Sequence, residues 1–359
     1  MSTQLPLTDE SLPAYLQGLD LVGPGNRIRV ERAGDGNINW VRRARLGRGR
    51  SVIVKQARPA LERFPEYEVT TERIVFEARY LEYTRRWDEE GLLPQVLAFD
   101  EEQRVLVLED VEPATRLDQA LAGGSDPAAA LERVARFLGR VHRETMARDT
   151  ALAPSFANDA MRRLHGDHIF LLPYEEVFPT PPRTAARAEQ LRAGGELAAI
   201  AHEAYDRYLE PRGALLHADV QPTNLLLTAQ GVTLLDAEIA HVGEPAFDVG
   251  TLLAHLMLPA AARGQPAHAL PLLGRVWSAY AVAHGETGLP SLPQVLRLAG
   301  LEMIRRTIGA ARVELVRADA SGLRVLETGT DWAREPERAA ALLQQPDAQP
   351  SPPSGGSAP

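Results

Sequence analysis

The period of the hydrophobic pattern changes near residue 110. Before it, short apolar runs bounded by turn residues predict strands: Arg27–Arg32, a run around Trp40-Val41, Ser51–Lys55, Val96–Phe99 and Arg104–Leu108. Two helices interrupt them. One covers Leu12–Leu21, behind Thr8-Asp9-Glu10-Ser11, and is stopped by Pro24-Gly25. The other covers 68–87, with Ile74, Phe76, Ala78, Leu81 and Tyr83 among charges and Thr70-Thr71-Glu72 ahead of them. After Glu109-Asp110-Val111-Glu112-Pro113 the pattern turns helical, near 116–122, 126–147, 183–210, 267–289 and 292–315. The expected fold class is α+β. A small N-terminal sheet lobe, 1–108, would meet a larger helical lobe, 109–344, at a hinge near 108–113. A cleft at such a junction is a default ligand site.

One stretch, 213–250, breaks the helical pattern. Ala214–Leu216 and Val232–Leu235 read as short buried strands, each ending in polar residues, and hairpin pairing of the two would bring those ends together. His217-Ala218-Asp219 follows the first strand and Asp236-Ala237-Glu238 the second. Asn224 lies five residues beyond Asp219. Hard oxygen and amide ligands converging there suit Mg²⁺, which binds one or two carboxylates plus substrate phosphates. HxDxxxxN followed by an apolar run and Asp is the spacing of a kinase catalytic loop and metal loop. Asp248 begins the apolar segment DVGTLLAHL and is expected to brace the catalytic loop. His165-Gly166-Asp167 has no Asn at the matching distance and is assigned to structure.

Composition sharpens this picture at one position. Lys55 is the only lysine among 39 lysines and arginines. A chain that uses arginine everywhere else keeps one compact ammonium where a planar guanidinium would not fit. Lys55 ends the third predicted strand, beneath the glycine-rich turn 34–37. Kinases place their phosphate-pairing lysine there, and Glu77 in the following helix is its expected partner. Arg305 and Arg306, adjacent on a mostly apolar helix, either meet substrate oxygens or pair with an acidic neighbour.

The remaining composition mostly excludes. The net charge of −9 argues against nucleic acid or an anionic membrane as the main partner. The absence of cysteine removes disulfides and thiolate chemistry and fits the cytosol. The polar, acidic N-terminus does not read as a signal peptide, and no run is long and apolar enough to span a bilayer. The Pro/Ser/Gly-rich tail 345–359 is expected to be disordered.

These residues together resemble the 5-methylthioribose kinases, a branch of the aminoglycoside phosphotransferase-like group with the protein-kinase-like bilobal fold. The blocks are GDGNINWV at 34–41, SVIVKQA at 51–57, TTERIVFEARYL at 70–81, LVLEDV at 106–111, DHIFLLPY at 167–174, LLDAEIAHVGEPAFDVG at 234–250 and EMIRRTIGAARV at 302–313. The resemblance implies ATP and Mg²⁺ as cofactors and phosphorylation of the sugar 1-hydroxyl, a methionine-salvage step, by a cytoplasmic homodimer. It implies that Asp219 orients the hydroxyl and accepts its proton, and that Asp236 and Glu238, with Asn224, hold Mg²⁺. Lys55, held by Glu77, pairs the phosphates under Asp35, Gly36 and Asn37. Backbone groups of Glu109 and Val111 receive adenine, and Arg305 and Arg306 meet the sugar.

The chain departs from that family where the acceptor binds. HADVQPTN stands for HGDLHTGS, with Asn224 in place of Ser, Ala218 in place of Gly and Gln221 in place of His; DAE stands for DPE. Other acceptors stay open: a different deoxypentose, an aminoglycoside, or a choline-like alcohol. So does a nucleotide-binding scaffold without activity.

Overall fold

The computed structural model describes residues 4–344 except 24–25, 35–38, 48, 61–68, 124–125 and 147. Asp35, Gly36 and Asn37, expected over the phosphates, and the tail from 345 therefore lie outside the described residues.

Strands β1 (Arg29–Arg32), β2 (Trp40–Gly47), β3 (Arg50–Gln56), β4 (Val96–Asp100) and β5 (Val105–Glu109) form one antiparallel sheet in the order β1-β2-β3-β5-β4. The two-residue period of a strand sorts its side chains onto two faces. Val52, Val54, Val105 and Val107 join Trp40, Ala44 and Leu46 beneath Leu12 and Leu16 of α1 (Leu12–Gly18). Leu106 and Leu108 point the other way, into one core with Ile74, Phe76 and Tyr80 of α2 (Arg73–Thr84). Lys55 is registered against Leu106, so it lies on the α2 side.

Beyond the 109–114 connection, helices dominate. They are α3 (Leu117–Ala122), α4 (Ala128–Met146), α5 (Asp149–Leu152), α6 (Asp159–Gly166), α7 (Leu172–Glu175), α8 (Pro182–Gly194) and α9 (Glu196–Leu209), then α10 (Ala246–Arg263), α11 (Leu270–His284), α12 (Leu292–Ile308), α13 (Asp319–Arg334) and α14 (Pro336–Gln344). The single helix expected over 183–210 is two, broken at Gly195. The helix expected over 292–315 ends at Ile308, where Gly309 turns to extended backbone.

The short strands pair differently from expectation. β7 (Ala214–Leu216) does not pair with β9 (Gly231–Leu234). It pairs with β10 (His241–Gly243), while β9 pairs with β8 (Leu225–Thr228), which in turn pairs with β6 (Thr115–Arg116). Leu225–Leu227 needs a ladder of its own, and the nearest complementary edge is β9, one tight turn away.

Two glycines set the position of α12. A β-carbon on Gly300 would sit 2.6 Å from the Gly329 carbonyl oxygen, and one on Gly329 would sit 2.9 Å from that of Gly300. Only paired glycines let α12 and α13 approach so closely, and this approach locates Arg305 and Arg306 about one and a half turns further along.

Candidate active site

Period two puts Lys55 under the sheet, and the α2 helix repeat aims Glu77 at it. The Lys55 Nζ donates to both Glu77 oxygens, at 2.7 and 2.8 Å, and also to Asp236 Oδ1. Burial alone would discharge this lysine. The carboxylates of Asp236, Glu77 and Glu238 more than offset that cost and hold its ammonium above the usual lysine range. Burial also pushes Asp236 up, yet Lys55 outweighs it and keeps this carboxyl below its ordinary value. The Asp236 side chain is 42% exposed, so the carboxylate opens toward solvent while gripping the lysine.

Glu238 occupies a separate arm. Its Oε2 accepts from Asn39 Nδ2 at 2.8 Å and lies 3.5 Å from Arg73 Nε, which itself donates to Asn39 Oδ1 at 3.0 Å. Burial raises Glu238, partly countered by Lys55 and Arg73. The sequence reading passed over Asn39 and Arg73. The signal was present for Arg73, because positions 73 and 77 are four apart and share a helix face.

The Asp219 loop is built from the other side. Asp248, fully buried on α10, accepts the backbone N–H of His217 at Oδ2 and that of Ala218 at Oδ1, both at 2.8 Å. His142 Nε2 lies 3.2 Å from the same carboxylate. Asp248 thus has the bracing position expected of it. Asp248→Asn keeps the shape but turns an N–H donor toward a backbone N–H. We expect a loss of roughly 3 kcal/mol, read as a lower denaturant midpoint at unchanged m-value. Ala218 and Asp236 both have left-handed backbone, at φ 66° and 65°, a conformation held where the surrounding structure over-determines it.

Amides close on the Asp219 carboxylate. Asn224 Nδ2 donates to Oδ2 at 2.7 Å and to the Asp219 carbonyl at 3.0 Å, while Gln221 Nε2 donates to both carboxylate oxygens at 3.0 Å. Burial raises Asp219; Arg306, Arg305 and the two amides pull it back without cancelling the rise. Burial holds His217 down, to about 4, so it is neutral at pH 7 and its Nδ1 accepts the Asp219 N–H.

Both arginines are buried and chelated by Glu302, so the acidic-neighbour reading describes their contacts. Arg305 Nη1 lies 3.0 and 3.1 Å from its two oxygens, and Arg306 Nε 2.6 Å from Oε1. Arg306 also reaches the catalytic loop, donating from Nη2 to Gln221 Oε1 at 3.0 Å. Arg305 Nε is buried and has no hydrogen-bond partner among the described residues. His165 and Asp167 stay structural: His165 is buried, and Asp167 accepts the Tyr205 hydroxyl.

One chain of contacts joins these parts. Asn224 holds Asp219, and its carbonyl accepts the N–H of Leu235 at 2.9 Å, immediately before Asp236. Asp236 holds Lys55, and Lys55 holds Glu77. The Glu109 N–H is spent on the Gln95 carbonyl at 2.9 Å, so that residue's carbonyl, not its N–H, is the group to offer a ligand at the 109–114 connection.

Among the described residues no group of three or more His, Asp or Glu is arranged to hold a metal ion. The donor set still suits Mg²⁺, which takes few protein ligands. Asp236 is open to solvent, Glu238 has a second oxygen, and the Asn224 amide turns its nitrogen to Asp219 and its oxygen away.

A lysine–glutamate pair under an antiparallel sheet, with a braced HxD loop and an adjoining acidic loop, defines a protein-kinase-like phosphotransferase. The comparisons agree with that class. The profile of the "Phosphotransferase enzyme family" matches residues 29–285. A methylthioribose kinase of Escherichia coli O45:K1 is 28% identical over 269 residues, 70% of this chain and 64% of that protein. One of Bacillus thuringiensis, strain Al Hakam, is 25% identical over 310 residues, 78% of each chain. Among solved structures, an aminoglycoside phosphotransferase from Alicyclobacillus acidocaldarius superimposes with TM-score 0.50 at 16% identity, over 97% of this chain and 98% of that one. An ethanolamine kinase of Plasmodium vivax gives 0.52 at 11%, over 94% and 93%. The chain belongs to the phosphotransferase enzyme family.

Proposed function

We propose that this chain transfers the γ-phosphoryl group of ATP to a hydroxyl of a small acceptor, with 5-methylthioribose and its 1-hydroxyl as the first candidate. The observation that carries this reading is the continuous link from Asp219 through Asn224 to Asp236, Lys55 and Glu77. The curated relatives' names support the sugar; Ala218, Gln221, Asn224 and Ala237 are among the positions where the chain departs from that pattern.

In the proposed step the acceptor oxygen forms a bond to the γ-phosphorus, the bond from that phosphorus to the β,γ-bridging oxygen breaks, ADP leaves, and the hydroxyl proton passes to Asp219. Asp219 orients the hydroxyl, and its raised basicity helps it take the proton. Lys55 pairs the phosphates from its anchor on Glu77. Asp35, Gly36 and Asn37 would cover those phosphates, and the Glu109 carbonyl with the Val111 backbone would receive adenine. Arg305 and Arg306, fixed by Glu302, set the cationic wall near the acceptor. Asp236, Glu238 and Asn224 would hold Mg²⁺, which when bound neutralises phosphate charge. The division at 108–109, a cytoplasmic location and a homodimer complete the proposal.

The deciding experiment is a coupled ADP assay on the purified chain with ATP, Mg²⁺ and a panel of 5-methylthioribose, other deoxypentoses, aminoglycosides and choline. Turnover of aminoglycosides but not of methylthioribose defeats the sugar. ATP binding without transfer to any alcohol defeats the kinase.

The pH profile gives an independent expectation. Asp219 must be ionised to accept a proton, so kcat/KM falls as pH drops through its folded pKa. Burial places the acid limb above the ordinary value of 3.8. The Arg306 charge lowers that pKa, so Arg306→Gln moves the limb to still higher pH. A limb at or below the ordinary aspartate value contradicts the assignment of Asp219.

A further inference from the structure

A cavity of about 600 Å³ opens beside the catalytic loop. Gln221, Pro222 and Thr223 form one wall; α3, α10, the start of α11 and residues 313–315 form the others. Gln221 is the doorway, since its amide also donates to both Asp219 oxygens. The cavity therefore begins one side chain from the group proposed to take the acceptor proton.

Its lining is aliphatic: Leu121, Leu256, Pro259, Leu272, Val313 and Leu315. Its polar side chains are mostly committed elsewhere. Asp118 pairs with Arg116, Glu314 with Arg317 and His255 with Glu302, while the Gln221 oxygen accepts from Arg306. Arg263 and His268 are exposed at the mouth. A carbohydrate needs hydrogen-bond partners for every buried hydroxyl, and this wall offers few. The volume is that of a whole small-molecule pocket. A methylthio group, with two heavy atoms, would fill little of it.

We propose that this cavity is the acceptor's distal subsite, and that it selects alcohols carrying a bulky aliphatic group several carbons larger than methylthio. This rests on the kinase reading for the hydroxyl end and on the cavity alone for the apolar end.

The test uses the full chain and a series of 5-S-alkyl-5-thioriboses from methyl to hexyl, measuring phosphorylation with ATP and, separately, calorimetric affinity in the presence of a non-hydrolysable ATP analogue. Each added methylene should raise kcat/KM and affinity roughly threefold to fourfold until the cavity is full. Leu315→Asp, at a side chain 41% exposed and so tolerant of change, should cut the hexyl-to-methyl ratio by about tenfold or more. Affinity that is flat or falls beyond methyl overturns the subsite, whatever the turnover. Affinity that climbs while no member is phosphorylated supports the subsite and overturns the thioribose 1-hydroxyl as the acceptor instead.

Discussion

Asp219→Asn lowers kcat by about 10²–10⁴-fold while ATP affinity stays close to the parent value. The physical reason is local. Asp219 is held by Asn224 and Gln221, and the backbone of the two residues before it by the Asp248 brace, so the substitution removes a proton acceptor without moving the loop. The new amide brings N–H groups against two amide donors, and one of these contacts must turn over. The accompanying stability cost is about 1–3 kcal/mol, the usual range for a buried group left unpaired. The loss of rate should far exceed any loss of folded protein, so kcat is measured alongside a denaturation midpoint and nucleotide titration. A kcat within a few-fold of the parent would show that Asp219 is not the proton acceptor.

Lys55→Arg keeps the charge and still reduces kcat/KM by about 10²–10³-fold, the scale of losing one preorganised donor at the transferring group. Lys55 reaches Glu77 and Asp236 with a single nitrogen, in a site where it is 5% exposed. A guanidinium is longer and planar. To keep the bidentate pair with Glu77 it must displace the Asp236 carboxylate or push α2 away from the sheet. Lys55→Met leaves Glu77 and Asp236 facing each other with no cation between them, and should lose roughly 3–5 kcal/mol of stability as well as activity. Comparing the two separates charge from shape. Equal kcat/KM for Lys55→Arg and the parent would remove the argument drawn from the chain's single lysine.

How far this site could be read in advance depended on sequence distance. Asp219 and Asn224 are five residues apart, and the loop geometry follows from that spacing. Lys55 at a strand end and Glu77 on a helix face follow from periods of two and 3.6. Asp248 stood out because an acid opening an apolar run must be satisfied from within. Asn39, Arg73 and Glu302 were passed over because each looks like an ordinary polar residue of its own element. The partner of Asn39 and Arg73 lies on another element, Glu238 of the acidic loop, whereas Glu302 pairs with two arginines of its own helix.

From the chain alone came the α+β class, the change from strands to helices near 110, and the residue types that a phosphoryl-transfer site requires. Periodicity and spacing are local quantities, and they suffice wherever an element's own pattern decides its structure. Tertiary packing alone decided that β7 pairs with β10 instead of β9, that α12 meets α13 at Gly300 and Gly329, and that Arg306 grips Gln221 of the catalytic loop. Each of those outcomes depends on which surfaces meet across long stretches of chain. Strand edges, glycine contacts and buried charges are satisfied by whichever partner the fold brings near, and no local pattern names that partner.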